Sequence, residues 1–212
     1  MATGKAKSLS AFGEAAEAHL SKLDDDWARH IAHIGACRHE PKPAREPYEA
    51  LVRAIAYQQL HAKAGDAILA RFLALYNGGA FPTPAQVLEV AFDVQKACGF
   101  SAAKLATIRA IAQATIDGIV PSREDAMELT DDELIARLVS LRGIGRWTVE
   151  MFLIYTMERP DILPVADFGV REGYRRLKGL DTAPTPAQMR KIGESWSPHR
   201  TAAAWYLWRC TA

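Results

Sequence analysis

The ten residues from Leu141 to Glu150 read LRGIGRWTVE and place two glycines, Gly143 and Gly145, directly before a helical run. Glycine tolerates closed backbone conformations and leaves its main-chain amide open to an approaching ligand. The helix that begins at Arg146 adds unpaired N–H groups, the positive end of its dipole and a full positive charge. The pattern therefore predicts a turn that binds an anion such as a phosphate.

An isolated carboxylate follows this turn. Asp167 stands in the segment ILPVADFGVRE. A phosphate-binding turn combined with a separate carboxylate suggests chemistry on a nucleic acid. The local sequence also allows a plainer interpretation, because Asp167 directly precedes a helical pattern and could cap that helix. The two interpretations are compatible.

Size and charge set broad limits. The chain has 212 residues, 49% of them hydrophobic, which allows one large domain or two small ones with a real core. Its 26 Lys and Arg residues against 25 Asp and Glu residues leave a formal charge of +1. This balance argues against wholesale coating of DNA, but it allows a local basic face.

Cysteine usage and hydropathy indicate an intracellular protein. The three cysteines lie far apart without metal-ligand spacing, at Cys37, Cys98 and Cys210. A reduced compartment is expected. No stretch approaches the ~20 apolar residues of a membrane span, and the N-terminus lacks the apolar core of a secretory signal. We expect a cytoplasmic protein, at the bacterial nucleoid or an equivalent intracellular place, with no membrane partner.

Helical periodicity dominates the chain. Apolar residues recur with helical spacing in three segments and capping signals open two more, at 48–60, 61–75 and 102–116 and at Thr83 and Thr130. The run Trp147 to Met157 is apolar on nearly every face, which is typical of a buried helix. No run alternates as a strand does. The sequence predicts an all-α protein of roughly ten helices.

Two proline-rich stretches suggest a division into two helical domains. They isolate a central block, 47–159, which ends after the glycine turn. The flanks 1–46 and 160–212 are each too small to bury a core well alone. We expect the flanks to pack together as a second domain, with the site in the cleft between the two domains.

These residues resemble the helix-hairpin-helix DNA glycosylase superfamily, and more closely its 3-methyladenine DNA glycosylase II branch. LRGIGRWTVE is similar to the hairpin of that family, and Asp167 stands where its catalytic aspartate does. Four further segments agree in order: IAYQQLHAKA, GFSAAKLATIRAIA, ILPVADFGVREGY and WSPHRTAAAWYLW. The resemblance covers residues 47–210. It implies the compact form that lacks an N-terminal β-domain.

The resemblance implies a base pocket and a catalytic carboxylate. Asp167 would stabilise the electron-poor sugar and direct water to it. Trp147 and Trp208 would be walls of the pocket, where an indole face attracts a cationic base. Met151 stands one turn after Trp147, where the family often has an aromatic residue. Each tryptophan could instead be a core residue.

The resemblance also places residues on DNA. Gln59 would enter the base stack when the damaged nucleotide leaves it, although its neighbours Gln58 and Leu60 could compete for that role, and all three could be ordinary residues at a helix end. His61 would touch the DNA backbone or, more simply, cap the turn.

The hairpin would hold a phosphate and an ion. Gly143, Gly145, Arg146 and Thr148 are the implied phosphate ligands. The main-chain carbonyls of Leu141 and Gly143 could bind a structural Na⁺ or K⁺, as family members often do. No other cofactor and no catalytic metal are expected.

The function that the resemblance implies is hydrolysis of the N-glycosidic bond of alkylated bases in double-stranded DNA, by a monomer acting in base excision repair. Members with lyase activity carry a lysine where this chain has Trp147, so no lyase activity is expected. The cysteines of an iron–sulfur loop are absent. Two alternatives stay open: a glycosylase for oxidised or mispaired bases, and a non-catalytic DNA-binding module.

Overall fold

The computed structural model describes residues 12–40, 45–76 and 80–210. Within these ranges the chain forms thirteen α-helices and one 3₁₀ helix, with no strand. The α-helices are α1 (Glu14–Ser21), α2 (Asp25–Ile34), α3 (Pro47–Tyr57), α4 (Ala62–Leu73), α5 (Pro84–Glu89), α6 (Phe92–Lys96), α7 (Ala102–Ile116), α8 (Arg123–Glu128), α9 (Asp131–Val139), α10 (Arg146–Tyr155), α11 (Phe168–Leu177), α12 (Pro186–Ile192) and α13 (Arg200–Leu207). The 3₁₀ helix spans Gly193–Trp196.

The predicted all-α class is confirmed, and the short helices explain why the described count exceeds roughly ten. Helices of only five or six residues, such as α6 and α8, carry little periodic signal. The capping signals are real. Thr83 with Gln86 and Thr130 with Glu133 each form a reciprocal capping box at the start of α5 and α9.

The chain divides into two compact units, of which the structure describes the residues outside the gaps given above. Unit 1 joins Met1–Lys42 to Leu153–Ala212, and unit 2 is the continuous segment Pro43–Phe152. The sequence placed the second boundary after residue 159, whereas the change of unit falls within α10, between Phe152 and Leu153.

Unit 2 is organised around α7. Its residues Leu105, Ile108, Ile111 and Ala112 are fully buried, and α3 and α5 pack against it. Thr107, on the same helix, lies under the glycine turn at Gly143. The turn therefore rests directly on the central helix of its own unit.

Unit 1 buries one continuous core drawn from both ends of the chain. Trp27 and Leu20 from the first part pack with Trp196, Tyr206 and their neighbours from the second. Helices α11 and α13 approach closely, because a Cβ added at Gly173 would lie 2.1 Å from the carbonyl oxygen of Leu207. Among the described residues, no helix is both long and apolar enough to cross a membrane.

Candidate active site and DNA-binding elements

Asp167 is the N-cap residue of α11. Its Oδ1 accepts a hydrogen bond from the main-chain N–H of Val170 at 2.9 Å, so the capping interpretation is correct. The same oxygen accepts the indole Nε1–H of Trp208 at 2.8 Å. Two donors and the positive end of a helix therefore hold the carboxylate in one orientation. The sequence predicted both residues for one site, and the fold brings them into direct contact.

A glycine makes this contact possible. A Cβ added at Gly169 would lie 2.8 Å from Cδ1 of Trp208 and 3.1 Å from Oδ1 of Asp167. Any larger residue would push the indole away from the carboxylate. Next to Asp167, the side chain of Phe168 is 76% exposed, which is an unusual position for an aromatic residue and leaves its ring open to a ligand.

The indole of Trp208 begins a series of aromatic contacts within unit 1. Trp208 and Tyr155 are nearly parallel, 18° apart with ring centroids separated by 6.4 Å. Tyr155 also stacks on His39, with centroids 5.1 Å apart. His39 is buried and its Nε2 lies 3.1 Å from the carbonyl oxygen of Ile154. Burial lowers the pKa of His39, which favours a neutral ring packed as an aromatic residue.

One face of α10 is less buried than the sequence predicted. Val149, Leu153 and Ile154 are fully buried, but Trp147 is 49% exposed and Met151 and Tyr155 are only partly buried. The prediction that this helix is buried all round is therefore wrong. Trp147, Met151 and Tyr155 stand four residues apart, so they share one side of the helix.

Burial also separates the five tryptophans. Three are buried in the core of unit 1: Trp27, Trp196 and Trp205. Trp147 is half-exposed and Trp208 is partly buried. The two predicted pocket residues are thus the two that the core does not enclose.

The two glycines of the turn differ in whether the surrounding structure has room for a side chain. Gly143 has φ +92°, and a Cβ there would lie 2.2 Å from Oγ1 of Thr107. Gly145 has an ordinary φ, and an added Cβ would meet nothing within 4 Å. The fold therefore requires glycine at the first position, while the second leaves the approach to the start of α10 open.

Arg146 is not a free cation. Its Nε donates to Oε1 of Glu150 at 2.9 Å, and Glu150 is only 3% exposed. The sequence did not anticipate this partner, which offsets part of the positive charge expected beside the turn. The carbonyl of Leu141 accepts the N–H of Ile144 at 3.0 Å.

The loop between α3 and α4 displays Gln59. This residue is exposed and adopts a left-handed backbone with φ +55°, which is uncommon for a residue other than glycine. Leu60 is 37% exposed. Gln58 instead points back to the protein and donates from Nε2 to Oγ1 of Thr148, 3.4 Å away.

Two predicted DNA contacts thus engage each other. The bond between Gln58 and Thr148 joins the loop to the first turn of α10, so these side chains link two elements of unit 2. His61 is the N-cap residue of α4, but its side chain makes no capping hydrogen bond. The simpler expectation, that His61 caps the turn, is met by its N-cap position but not by a side-chain hydrogen bond.

The basic run near Asp167 is engaged by the protein itself. Arg175 and Arg176 both bind Glu172, at 2.8 and 2.9 Å, and these bonds lower the pKa of Glu172 to about 2. Lys178 pairs with Asp24 and Asp26. By sequence, this basic run of Arg171, Arg175, Arg176 and Lys178 is compatible either with a place along DNA or with a role in the fold, and these pairs favour the fold.

Some residues of interest were not singled out from the sequence. Tyr155 could have been found, because it continues the four-residue spacing of Trp147 and Met151. Phe168 was assigned only to the start of a helix. Lys104, described below, gave no motif. Among the described residues, no group of three or more His, Cys, Asp or Glu side chains could hold a metal ion.

Comparison with known proteins identifies a family and several similar proteins. Residues 52–199 match the model of the HhH-GPD superfamily base excision DNA repair proteins. DNA-3-methyladenine glycosylase 1 of Schizosaccharomyces pombe is 48% identical over 195 residues, which cover 92% of this chain and 86% of that protein. A solved structure of the S. pombe 3-methyladenine DNA glycosylase in complex with abasic DNA matches with a TM-score of 0.80 at 47% identity, covering 92% of this chain and 96% of that one. The DNA-3-methyladenine glycosidase of Bacillus halodurans matches with a TM-score of 0.82 at 30% identity, covering 91% and 88%.

Proposed function

Because the chain belongs to the HhH-GPD superfamily of base excision DNA repair proteins, we propose that it is a monofunctional DNA glycosylase that releases alkylated bases of the 3-methyladenine type from double-stranded DNA. One observation carries the assignment of the site. The carboxylate of Asp167 is held by the indole N–H of Trp208 at a helix N-terminus, beside the exposed ring of Phe168.

The chemistry that such a carboxylate supports is hydrolysis. As the bond between base and sugar breaks, the base leaves with the electron pair and the sugar gains oxocarbenium character. A fixed negative charge facing that sugar stabilises the transition state. Water then forms the new bond to the anomeric carbon, and Asp167 accepts its proton or directs it to solvent. The product is an abasic site.

Aromatic side chains support recognition of the base. Alkylation at a ring nitrogen of a purine makes the base cationic, and an aromatic face attracts a cation by ~0.5–2 kcal/mol. In unit 1, Trp208 and Tyr155 offer such faces next to Asp167. The proposal gives Trp147 and Met151 of unit 2 the same role, which the resemblance implies for them. A cationic base leaves readily, so little acid catalysis is required.

In this proposal, residues of unit 2 bind the DNA. The open main chain at Gly145 and the N-terminus of α10 bind a backbone phosphate, and Gln59 enters the stack when the damaged nucleotide turns out. Main-chain carbonyls are ligands that suit a monovalent cation, so a Na⁺ or K⁺ at Leu141 and Gly143 is part of the proposal. The indole of Trp147 cannot form an imine, which leaves the enzyme without lyase activity.

Asp167→Asn tests the proposal directly. Asparagine is as good an N-cap as aspartate, so the substitution removes the charge while it keeps the cap. We expect single-turnover release of 7-methylguanine from duplex DNA to fall by ~10²–10⁴-fold, with DNA affinity retained.

Asp181→Asn, an exposed carboxyl in the same unit, is the matched control and should release bases at the wild-type rate. An unchanged rate in Asp167→Asn would refute the assigned role. A wild-type protein that binds DNA but releases no base would support a non-catalytic binding module instead.

A further inference from the structure

A partly buried lysine, Lys104, lies beneath the loop that displays Gln59. The ammonium of Lys104, on α7, donates to the carbonyl oxygen of Ala56 at 3.1 Å and to the carbonyl oxygen of Gln58. The first carbonyl belongs to the last turn of α3, where carbonyls lack helical partners. The second belongs to the peptide group that joins Gln58 to Gln59. Lys104 therefore binds the main chain directly N-terminal to the exposed Gln59.

The position of this lysine in its own helix is unfavourable. Ser101 is the N-cap of α7 and Lys104 is the third residue of the helix, where the helix dipole disfavours a positive charge. The first turns of α8 and α9 carry acidic residues, as the dipole favours, whereas that of α7 carries none. Burial also lowers the pKa of Lys104. A positive charge at this position needs compensating contacts, and here the main-chain carbonyls of Ala56 and Gln58 provide them.

The loop needs this support because its backbone is strained. A left-handed backbone is strained for a residue other than glycine, and Gln59 is such a residue with φ +55°. A cavity of about 240 Å³ adjoins the loop and is lined by residues that include Gln59, Phe100 and Lys104. Because this space adjoins the loop, the loop has room to adopt another backbone conformation when the hydrogen bonds from Lys104 are lost.

Different contacts join the same end of the loop to α4. A Cβ at Gly65 would lie 2.4 Å from the ring of Tyr57, and the hydroxyl of Tyr57 donates to Asp66. These contacts fix Tyr57, and the N–H of Leu60 closes a turn on the carbonyl oxygen of Tyr57 at 3.1 Å. Lys104 adds a side-chain anchor to this turn, at the carbonyl of Gln58. The side chain of Gln58 is tied to Thr148, which does not set the backbone of Gln59.

We propose that Lys104 is a positioning residue for base extrusion, which keeps Gln59 in its left-handed, stack-entering conformation before DNA arrives. The proposal rests on the proposed function, in which Gln59 is the residue that fills the vacated space. The cost of ordering the loop is then met during folding rather than during extrusion. Removing the ammonium should slow reactions that need extrusion and spare those that do not.

The test compares one lesion in two settings with Lys104→Met, which keeps the length of the side chain and removes the charge. The lesion is 7-methylguanine, either paired with cytosine in a duplex or placed in a single-base bulge, where less pairing must be broken. We expect Lys104→Met to slow single-turnover release about tenfold from the paired duplex and about twofold or less from the bulge. Lys104→Arg, which can still donate to both carbonyls, should recover most of the rate.

A double variant decides whether the lysine acts through Gln59. Gln59→Ala with Lys104→Met should be no slower than Gln59→Ala alone, because the lysine has nothing left to position. Lys96→Met, at an exposed lysine of the same unit, controls for loss of charge. If Lys104→Met does not fold, as judged by its thermal midpoint, Lys104→Gln replaces it, because it removes the charge and shortens the side chain, and the same results are expected.

Equal slowing of both substrates, additive losses in the double variant, or the same loss in Lys96→Met would each overturn the proposal. A wild-type enzyme that releases no base even from the bulge would overturn the proposed function itself. The two failures are therefore distinguishable.

Discussion

At the scale of single residues, Asp167 shows how one oxygen can serve structure and chemistry together. Its Oδ1 caps α11 through Val170 and accepts the indole of Trp208. A cap alone needs no indole, and the second donor orients the carboxylate further than the helix requires. The sequence indicated both roles, because an aspartate before a helical pattern is a cap signal. It did not indicate that Gly169 makes room for the indole.

Gly169→Ala should uncouple activity from stability. The added methyl group would lie 2.8 Å from Trp208 and 3.1 Å from Asp167, so the indole must move off the carboxylate. Alanine favours the helix by ~1 kcal/mol, which offsets part of the cost of that shift. We expect base release to fall about tenfold while the thermal midpoint changes by only a few degrees.

Gly173→Ala is the contrasting variant. There the methyl group would lie 2.1 Å from a backbone carbonyl on α13, which cannot move aside. This variant should lose several kcal/mol of the free energy of unfolding. Comparable thermal midpoints for the two variants would contradict the distinction.

At the scale of elements, the turn before α10 combines two glycines with different duties. Gly143 closes the turn over Thr107 on α7 with φ +92°, whereas nothing crowds Gly145. In the sequence Gly143 and Gly145 look equivalent, because any glycine can adopt the same range of backbone conformations. Only packing assigns the steric demand to one and the open approach to the other. The helix that follows exposes one side, on which Trp147, Met151 and Tyr155 lie.

Gly143→Ala and Gly145→Ala should therefore fail in different assays. The first places a Cβ in strained backbone 2.2 Å from Thr107, and we expect a loss of ~1–3 kcal/mol or more in the free energy of unfolding. The second should leave the thermal midpoint within a few degrees but weaken binding to duplex DNA several-fold, because a methyl group stands before the amides. Urea unfolding and fluorescence anisotropy measure the two effects. Full DNA affinity in Gly145→Ala would contradict the prediction that this turn binds a DNA phosphate.

At the scale of the whole molecule, acidic and basic residues are nearly equal in number, and several of them form ion pairs. The chain has 26 basic and 25 acidic residues, and ion pairs engage Arg175, Arg176 and Lys178 of the basic run. Arg146 is paired as well. Because these particular cations are paired, we expect main-chain amides to supply part of the contact with phosphate.

A shallow salt dependence of DNA binding should result. We expect the logarithm of the association constant to fall with the logarithm of salt concentration at a slope no steeper than about −4, as for contacts with a few phosphates. Arg142→Ala, at an exposed arginine beside the turn, should reduce the slope by about 1. Arg176→Ala, whose guanidinium binds Glu172, should leave the slope unchanged. An equal change in both variants would place the basic run on DNA.

The sequence by itself determined the helical class, the capping boxes, the glycine turn and the candidate carboxylate, because each depends on neighbours within a few residues. Thr83 and Thr130 cap as their local patterns require. The resemblance of five ordered segments pointed to the family for the same reason, since short motifs preserve local geometry.

Tertiary structure alone decided which side chains meet across the chain. Trp208 reaches Asp167 over a separation of 41 residues, and Lys104 reaches Gln58 over 46. The partner that offsets the charge of Arg146 and the side of α10 left exposed were likewise set by packing. A periodic pattern states which faces are apolar, but the close packing of a folded chain decides which of those faces is covered.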